Sequence, residues 1–344
     1  MSFTLMLTCA GGELMPQLMQ AVRASARHDV RIVGVDARPD AVGRRFADVF
    51  ATVPNGTEPG YVDAVAELVD RHGVDLLLPT SDEEALALSE GRDRVERGGC
   101  LLACAPAETL KIVSDKARAY AHLAGMGVPV PHWREATTLD ELAAAVDELV
   151  AAHGAAVAKP AAGRGGRGVC VIRPGPSGIH SPDGGRERHM DPGTFRDDVM
   201  ADFASSLPVV VMERLVEPVY DVDMLAWRGR PIRVVPRRRV DSVLPNEGHT
   251  FVDDATLTDL GTRLIEGLGL TWLYDCDVMY AEDGRPGILE INPRPSGSVS
   301  ATIAAGVPLL DDVISLAKGE PVPDVEAPTG RVVVPYKALA VVRP

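Results

Sequence analysis

Pro286 to Ser300 reads PGILEINPRPSGSVS, and its alternation decides how the C-terminal half folds. Ile288, Leu289 and Ile291 predict a short apolar strand, and Pro293 and Pro295 end it because a proline brings no N–H to a ladder. Successive strand side chains point to opposite faces, so Glu290 and Asn292 share one. A carboxylate and an amide carbonyl so placed are hard oxygen donors of the kind Mg²⁺ takes, and the fork of Arg294 just beyond suits a phosphate.

One strand earlier, Trp272 to Tyr280 (WLYDCDVMY) puts Asp275 and Asp277 on one face. The turn Glu282-Asp283-Gly284-Arg285-Pro286 joins the two strands into a predicted antiparallel hairpin with Asp277 beside Glu290. Two neighbouring carboxylates repel unless a divalent cation lies between them. The rival reading is a hairpin with a solvated charged face.

Further upstream, Ala155 to Val171 reads AAVAKPAAGRGGRGVCV. A strand delivers Lys159, Pro160 stops it, and Gly163, Gly165, Gly166 and Gly168 form a loop before a strand resumes at Val169. Backbone N–H groups of such a loop can close on an anion beside the lysine charge. A Walker loop would instead open a helix and carry G-K-[ST]. A flexible surface hairpin is the alternative.

The N-terminal third alternates strand and helix, which predicts a parallel sheet covered on both faces. Strands are expected over 3–8, 30–35, 49–53, 74–78 and 100–104, with helices over 13–27, 61–72 and 82–97. Ala10-Gly11-Gly12 after the first strand and Asp36 after the second outline a dinucleotide fold, but two glycines fall short of G-x-G-x-x-G, so a Rossmann-like scaffold is expected in place of an NAD site. Thr80 to Glu84 has the position of a ligand loop and also of a helix cap. Ser114 is expected to cap the helix that carries Lys116, and 137–152 is one amphipathic helix. Residues 173–193 predict an excursion with no core, in which His180 and His189 are exposed bystanders. Strands are expected at 209–212, ending in Glu213, at 220–227 with Asp221 and Asp223 on one face, at 232–240 with Arg237 and Arg239 opposed to Arg238, and at 332–342.

Composition narrows the function classes. In 344 residues, 35 Lys and Arg against 49 Asp and Glu leave a net charge of −14, which argues against nucleic-acid or anionic-membrane partners. The N-terminus shows neither a basic signal region nor an apolar run long enough for a membrane span, so a cytoplasmic protein is expected. Cys100 and Cys104 flank LLA, which reads as a buried strand in place of a zinc site.

Lys116 in Ser-Asp-Lys, Lys159 before a glycine loop, Glu213 in MERL, Asp221, Asp277 and then Glu290-Ile291-Asn292-Pro293-Arg294 occur in an order that resembles the ATP-grasp superfamily, in particular carbamoyl-phosphate-synthetase-like and PylC-like stand-alone carboxylate–amine ligases. The resemblance covers residues 3–320. It implies an α/β and α+β chain: a Rossmann-like pre-ATP-grasp domain (1–110), then a small lobe with the glycine loop (111–208) and a large lobe with the metal site (209–344). It implies ATP with Mg²⁺ or Mn²⁺. Lys116, Lys159 and the loop Gly163, Gly165, Gly166 and Gly168 would hold the nucleotide, Glu213 with the backbone of Arg214 and Leu215 would read adenine, and Asp221 would take the ribose. Asp277, Glu290 and Asn292 would bind metal, with Arg294 and Lys159 catalytic. Arg237, Arg239, Ser296, Ser298 and the Thr80–Glu83 loop are expected at the substrate, Arg237 in the catalytic set. The implied reaction joins a small carboxylate, such as an amino acid, to an amine through an acyl phosphate, in a chain that can form a homodimer. The rivals are a nucleotide-binding regulatory protein without turnover and an NAD(P)-dependent oxidoreductase.

Overall fold

A computed structural model describes residues 2–163, 168–181, 187–244, 246–336 and 339. Three sheets follow one another along the chain. The first is parallel, built from β1 (Phe3–Leu7), β2 (Val30–Asp36), β3 (Val49–Thr52), β4 (Leu76–Leu78) and β5 (Leu101–Leu102) in the order β3-β2-β1-β4-β5. Its strands read as apolar runs because helices Met15–Arg23, Tyr61–His72 and Asp82–Glu90 connect them. The direction of winding reverses between β1 and β4. The helix expected over 82–97 breaks at Gly91, where a Cβ would lie 2.4 Å from Val62 Cγ1. Only glycine lets the two helices approach so closely.

The second sheet comprises β6 (Trp133–Ala136), β7 (Ala156–Pro160), β8 (Cys170–Ile172), β9 (Arg188–Met190) and β10 (Val209–Glu213), ordered β6-β10-β7-β8-β9. Helix Leu139–His153 covers it, and Thr138 caps that helix by accepting from Glu141 N. Two expectations are corrected here. Because Val209–Glu213 pairs with β6 and β7, the boundary placed at 208/209 moves to the link after Glu213. Part of the 173–193 excursion forms an edge strand, with His189 bridging to His180 through both backbones and Met190 buried in the lobe's core.

The third sheet is antiparallel: β11 (Val216–Trp227), β12 (Arg230–Arg239), β13 (His249–Phe251), β14 (Trp272–Tyr280), β15 (Pro286–Asn292) and β16 (Val332–Val333), ordered β15-β14-β11-β12-β13-β16. The last strand is described only over Val332–Val333, since most of 337–344 lies outside the described residues. Helix Ala255–Leu268 lies on this sheet, its Gly261 so close to Val234 that a Cβ would sit 2.6 Å from Cγ1. First and third sheets share one core, in which Leu102 and Val113 join Leu260, Tyr274 and Ile291. Cys100 and Cys104 are buried thiols of this core, pushed by burial to about 12 and about 11, unlike zinc thiolates.

Candidate active site

The β14–β15 hairpin closes through the turn around Gly284, whose φ of +82° suits glycine and whose N–H bonds Ala281 O at 2.9 Å. Its register sets Asp277 opposite Glu290 and Asp275 opposite Asn292, as alternation predicts. Between Asp277 and Val278 the register slips, so Leu289 has no partner on β14. This bulge frees the Leu289 carbonyl, which accepts from Lys159 Nζ at 3.1 Å and from the Tyr120 hydroxyl at 2.9 Å.

Lys159, delivered by β7, also donates to the Tyr120 hydroxyl at 3.1 Å. Burial and then the nearby Lys116 charge push its pKa down to about 7. Lys116 begins helix Lys116–Gly125, bonds the Gly163 carbonyl at 2.7 Å and lies 3.5 Å from Glu290 Oε2. Asp115 caps that helix by accepting from Arg118 N, whereas Ser114, the expected cap, ends the preceding helix Ala107–Val113. Gly163 and Gly168 hold φ of +134° and +73° at the two ends of the glycine loop. Gly165 and Gly166 lie outside the described residues. Both lysines and the Glu290 carboxylate therefore converge where β7 meets β15.

Beneath them lies a buried acid cluster. Asp277 accepts from Arg239 Nη2 at 2.6 Å through Oδ2, and Asp275 accepts from Asn292 Nδ2 at 3.0 Å through Oδ2. The other oxygen of each, Oδ1, is buried with no hydrogen-bond partner among the described residues, although Arg237 Nη2 lies 3.9 Å from that of Asp275. Burial raises Asp277 to about 6 against the pull of Arg239, and burial with the charges of Asp277, Asp221 and Asp223 raises Asp275 well above the carboxylate range. One oxygen from each of Asp221, Asp275 and Asp277 falls within 4.8 Å of the others. Two buried carboxylate oxygens without a hydrogen-bond partner, on Asp275 and Asp277, suit a hard divalent cation, and of the expected ligands Asp277 carries one of them while Glu290 and Asn292 stand opposite these acids on β15.

Several of the expected site residues are engaged by neighbouring side chains. Asp221 is 1% exposed and spends its oxygens on Arg239 Nε at 3.1 Å, Arg239 Nη2 at 2.6 Å and His249 Nε2 at 2.9 Å, leaving nothing for a ribose. Arg237 is 0% exposed and donates to both oxygens of Asp223, at 3.0 and 3.3 Å, and to Ser298 Oγ at 2.7 Å, so it is structural and not catalytic, and Ser298 and Arg239 are equally committed. Glu213 Oε1 accepts from His132 N at 2.8 Å and from Arg285 Nη2 at 2.6 Å, which anchors the side chain beside the backbone of Arg214 and Leu215 that links β10 to β11, while Oε2 lies 3.7 Å from His153 Nδ1.

Arg294 donates from Nη2 to Asn292 Oδ1 at 3.2 Å, which orients the amide, and from Nε to Asp82 Oδ1 at 2.9 Å. Asp82 is the first residue of helix Asp82–Glu90, into which the loop after β4 leads, and there Glu84 Oε2 accepts from Ser81 Oγ and Thr8 Oγ1, each at 2.7 Å. The loop thus reaches the site from the first domain. Asp36, by contrast, bonds Gly11 N at 2.6 Å and Arg38 N at 2.8 Å, so the carboxylate an NAD ribose would need closes its own turn.

Residues 205–338 match the family described as ATP-grasp in the biosynthetic pathway with Ter operon, and residues 6–103 match the PylC-like N-terminal domain. Residues 205–338 thus belong to an ATP-grasp family. The chain is 22% identical over 292 residues to the carbamoyl phosphate synthase large chain of Thermoplasma acidophilum, covering 79% of the chain and 26% of the synthase. It spans less than half the length of the curated relatives it matches. Its fold is similar to an ADP complex of N5-carboxyaminoimidazole ribonucleotide synthetase (TM-score 0.72, 15% identity, 97% of this chain and 81% of that one). It is also similar to an L-amino acid ligase from Bacillus licheniformis (TM-score 0.63, 13% identity, 92% and 74%). At these identities the likeness is one of fold. No described helix is long and apolar enough to cross a membrane.

Proposed function

We propose that the protein is an ATP- and Mg²⁺-dependent carboxylate–amine ligase that forms an amide or peptide bond and releases ADP and phosphate. The observation that carries this reading is the register of Asp277 against Glu290, with an orphan carboxylate oxygen below and Lys116 and Lys159 beside it. Magnesium, when bound, supplies charge neutralisation across the phosphates. Lys116, Lys159 and the glycine loop hold the triphosphate, and the backbone of Arg214 and Leu215 meets the adenine. The lobes formed by the second and third sheets enclose the nucleotide, and the first domain closes the substrate side through Asp82.

In this mechanism a substrate carboxylate oxygen attacks the γ-phosphorus and the bond to ADP breaks. Arg294, oriented by Asp82 and Asn292, stabilises charge on the transferred group, and no protein nucleophile is needed. The amine nitrogen then attacks the acyl carbon, phosphate leaves with the bonding pair, and the nitrogen loses a proton. A small carboxylate such as an amino acid is the proposed donor, a choice supported by the fold shared with an L-amino acid ligase. Incubation with Mg-ATP and pooled amino acids, followed by separation of ATP, ADP and AMP, tests the reading. Substrate-dependent ADP that vanishes in Glu290→Gln supports it, and AMP as the product refutes it.

A further inference from the structure

A cavity of about 120 Å³ lies where the first domain meets the turn after β15. It opens at the switch point of the parallel sheet, beyond the ends of β1 and β4, the place where open α/β sheets bind ligands. Cys9 and Gly12 line it from the β1 side and Thr80 from the β4 side, and Pro295 and Ser296 close it from the strand that carries Arg294. Two further observations mark it as built. Cys9 has φ of +47°, a left-handed backbone that a non-glycine residue adopts at a cost and that clusters at ligand sites. Arg294 donates to the Pro295 carbonyl at 3.1 Å, so the cavity wall and the proposed phosphoryl-binding group are one continuous segment.

The lining states what would fit. Leu14, Met15 and Leu18 give an apolar wall, and the volume is close to that of a cavity that takes one benzene, roughly 150 Å³, so it admits one aliphatic side chain and not a nucleotide. Glu13 is the charged residue of the lining, and no Arg, Lys or His stands among the described residues there. Its carboxylate accepts from Asn246 Nδ2 at 3.0 Å, which fixes the acid at the rim. An anion in this cavity would meet the Glu13 carboxylate at the rim and no cationic side chain in the described lining, whereas an ammonium would gain a countercharge there.

We infer that this cavity is the subsite for the amine substrate, a primary amine on an apolar body about the size of one aliphatic side chain. The inference rests on the ligase reading and deepens it: the carboxylate donor meets Arg294 and the acceptor's apolar body fills the cavity. Calorimetric titration of the full chain tests it with L-leucinamide, isovalerate and inorganic phosphate. Leucinamide is expected to bind about tenfold more tightly than either anion, and Glu13→Gln to weaken it about tenfold, the equivalent of 1.4 kcal/mol. Leu18→Trp, which fills the cavity, is expected to abolish leucinamide binding. Failure of leucinamide to bind, equal binding of isovalerate or phosphate, or an affinity unmoved by the surface change Glu13→Gln overturns the assignment. Mg-ATP titrated into the same preparations reads the ligase proposal separately: its binding without leucinamide binding removes the subsite alone, and its failure to bind removes the ligase reading.

Discussion

Arg237→Ala separates a structural arginine from a catalytic one. The side chain is 0% exposed, donates to both Asp223 oxygens and to Ser298, and has Asp221 and Asp275 oxygens at 3.8 and 3.9 Å. Removing one partner of a buried pair strands the other charge and costs about 3–5 kcal/mol, a large part of the roughly 5–15 kcal/mol that holds a domain folded. Urea unfolding at pH 8 should show that loss. Asp275 is already raised by burial, and Arg237 pulls it down, so the variant raises it further. An acid with a raised folded pKa contributes stability at low pH that is lost as pH rises through that pKa, so the deficit of the variant should shrink from pH 8 to pH 5. Unfolding within about 0.5 kcal/mol of wild type, a change typical of surface substitutions, together with loss of ADP formation, would refute the structural assignment.

Lys159 has a folded pKa of about 7, below its unfolded value, so between that pH and about 10.4 the unfolded chain binds more protons at this site and stability rises with pH. Triphosphate beside it should restore the charge, so Mg-ATP binding at pH 8 is expected to take up about one proton, read from calorimetry in buffers of different ionisation enthalpy, and Lys159→Met should abolish the uptake. Arg294→Lys keeps the charge but loses the fork that meets Asp82 and Asn292, and ADP formation should fall about 10²–10³-fold, the loss seen when one transition-state donor is removed, with nucleotide affinity nearly unchanged. Arg285→Ala leaves the buried Glu213 carboxylate without its cationic partner beside the β10–β11 link, and the melting temperature should drop in step with a cost of about 3–5 kcal/mol; an unchanged melting curve counts against that anchor.

The hairpin was legible because alternation and the Gly284 turn together fix which residues face each other, and a one-residue slip would have sent Glu290 to the opposite face. The parallel sheet was legible from strict strand–helix alternation. What the pattern could not supply was depth. Alternation puts Asp221 and Asp223 on one face of β11, but only the pairing of β11 with β12 shows that Arg237 and Arg239 cover them and remove them from ligand contact. Likewise MERL marks Glu213, while Arg285, 72 residues on, binds one oxygen of its carboxylate. The Asp82 to Arg294 pair spans 212 residues and joins two domains, so no local window contains it. The Arg188–Met190 strand escaped notice because a three-residue edge strand within a Pro- and Gly-rich stretch carries too little periodicity to register.

The acyl phosphate is the central chemical claim, and oxygen transfer tests it most directly. The protein is incubated with Mg-ATP, an amine and an amino acid labelled with ¹⁸O in its carboxylate, and the released phosphate is weighed by mass spectrometry. One labelled oxygen in inorganic phosphate, accompanied by ADP, is the predicted result. Label carried into AMP, or unlabelled phosphate alongside amide formation, would contradict it.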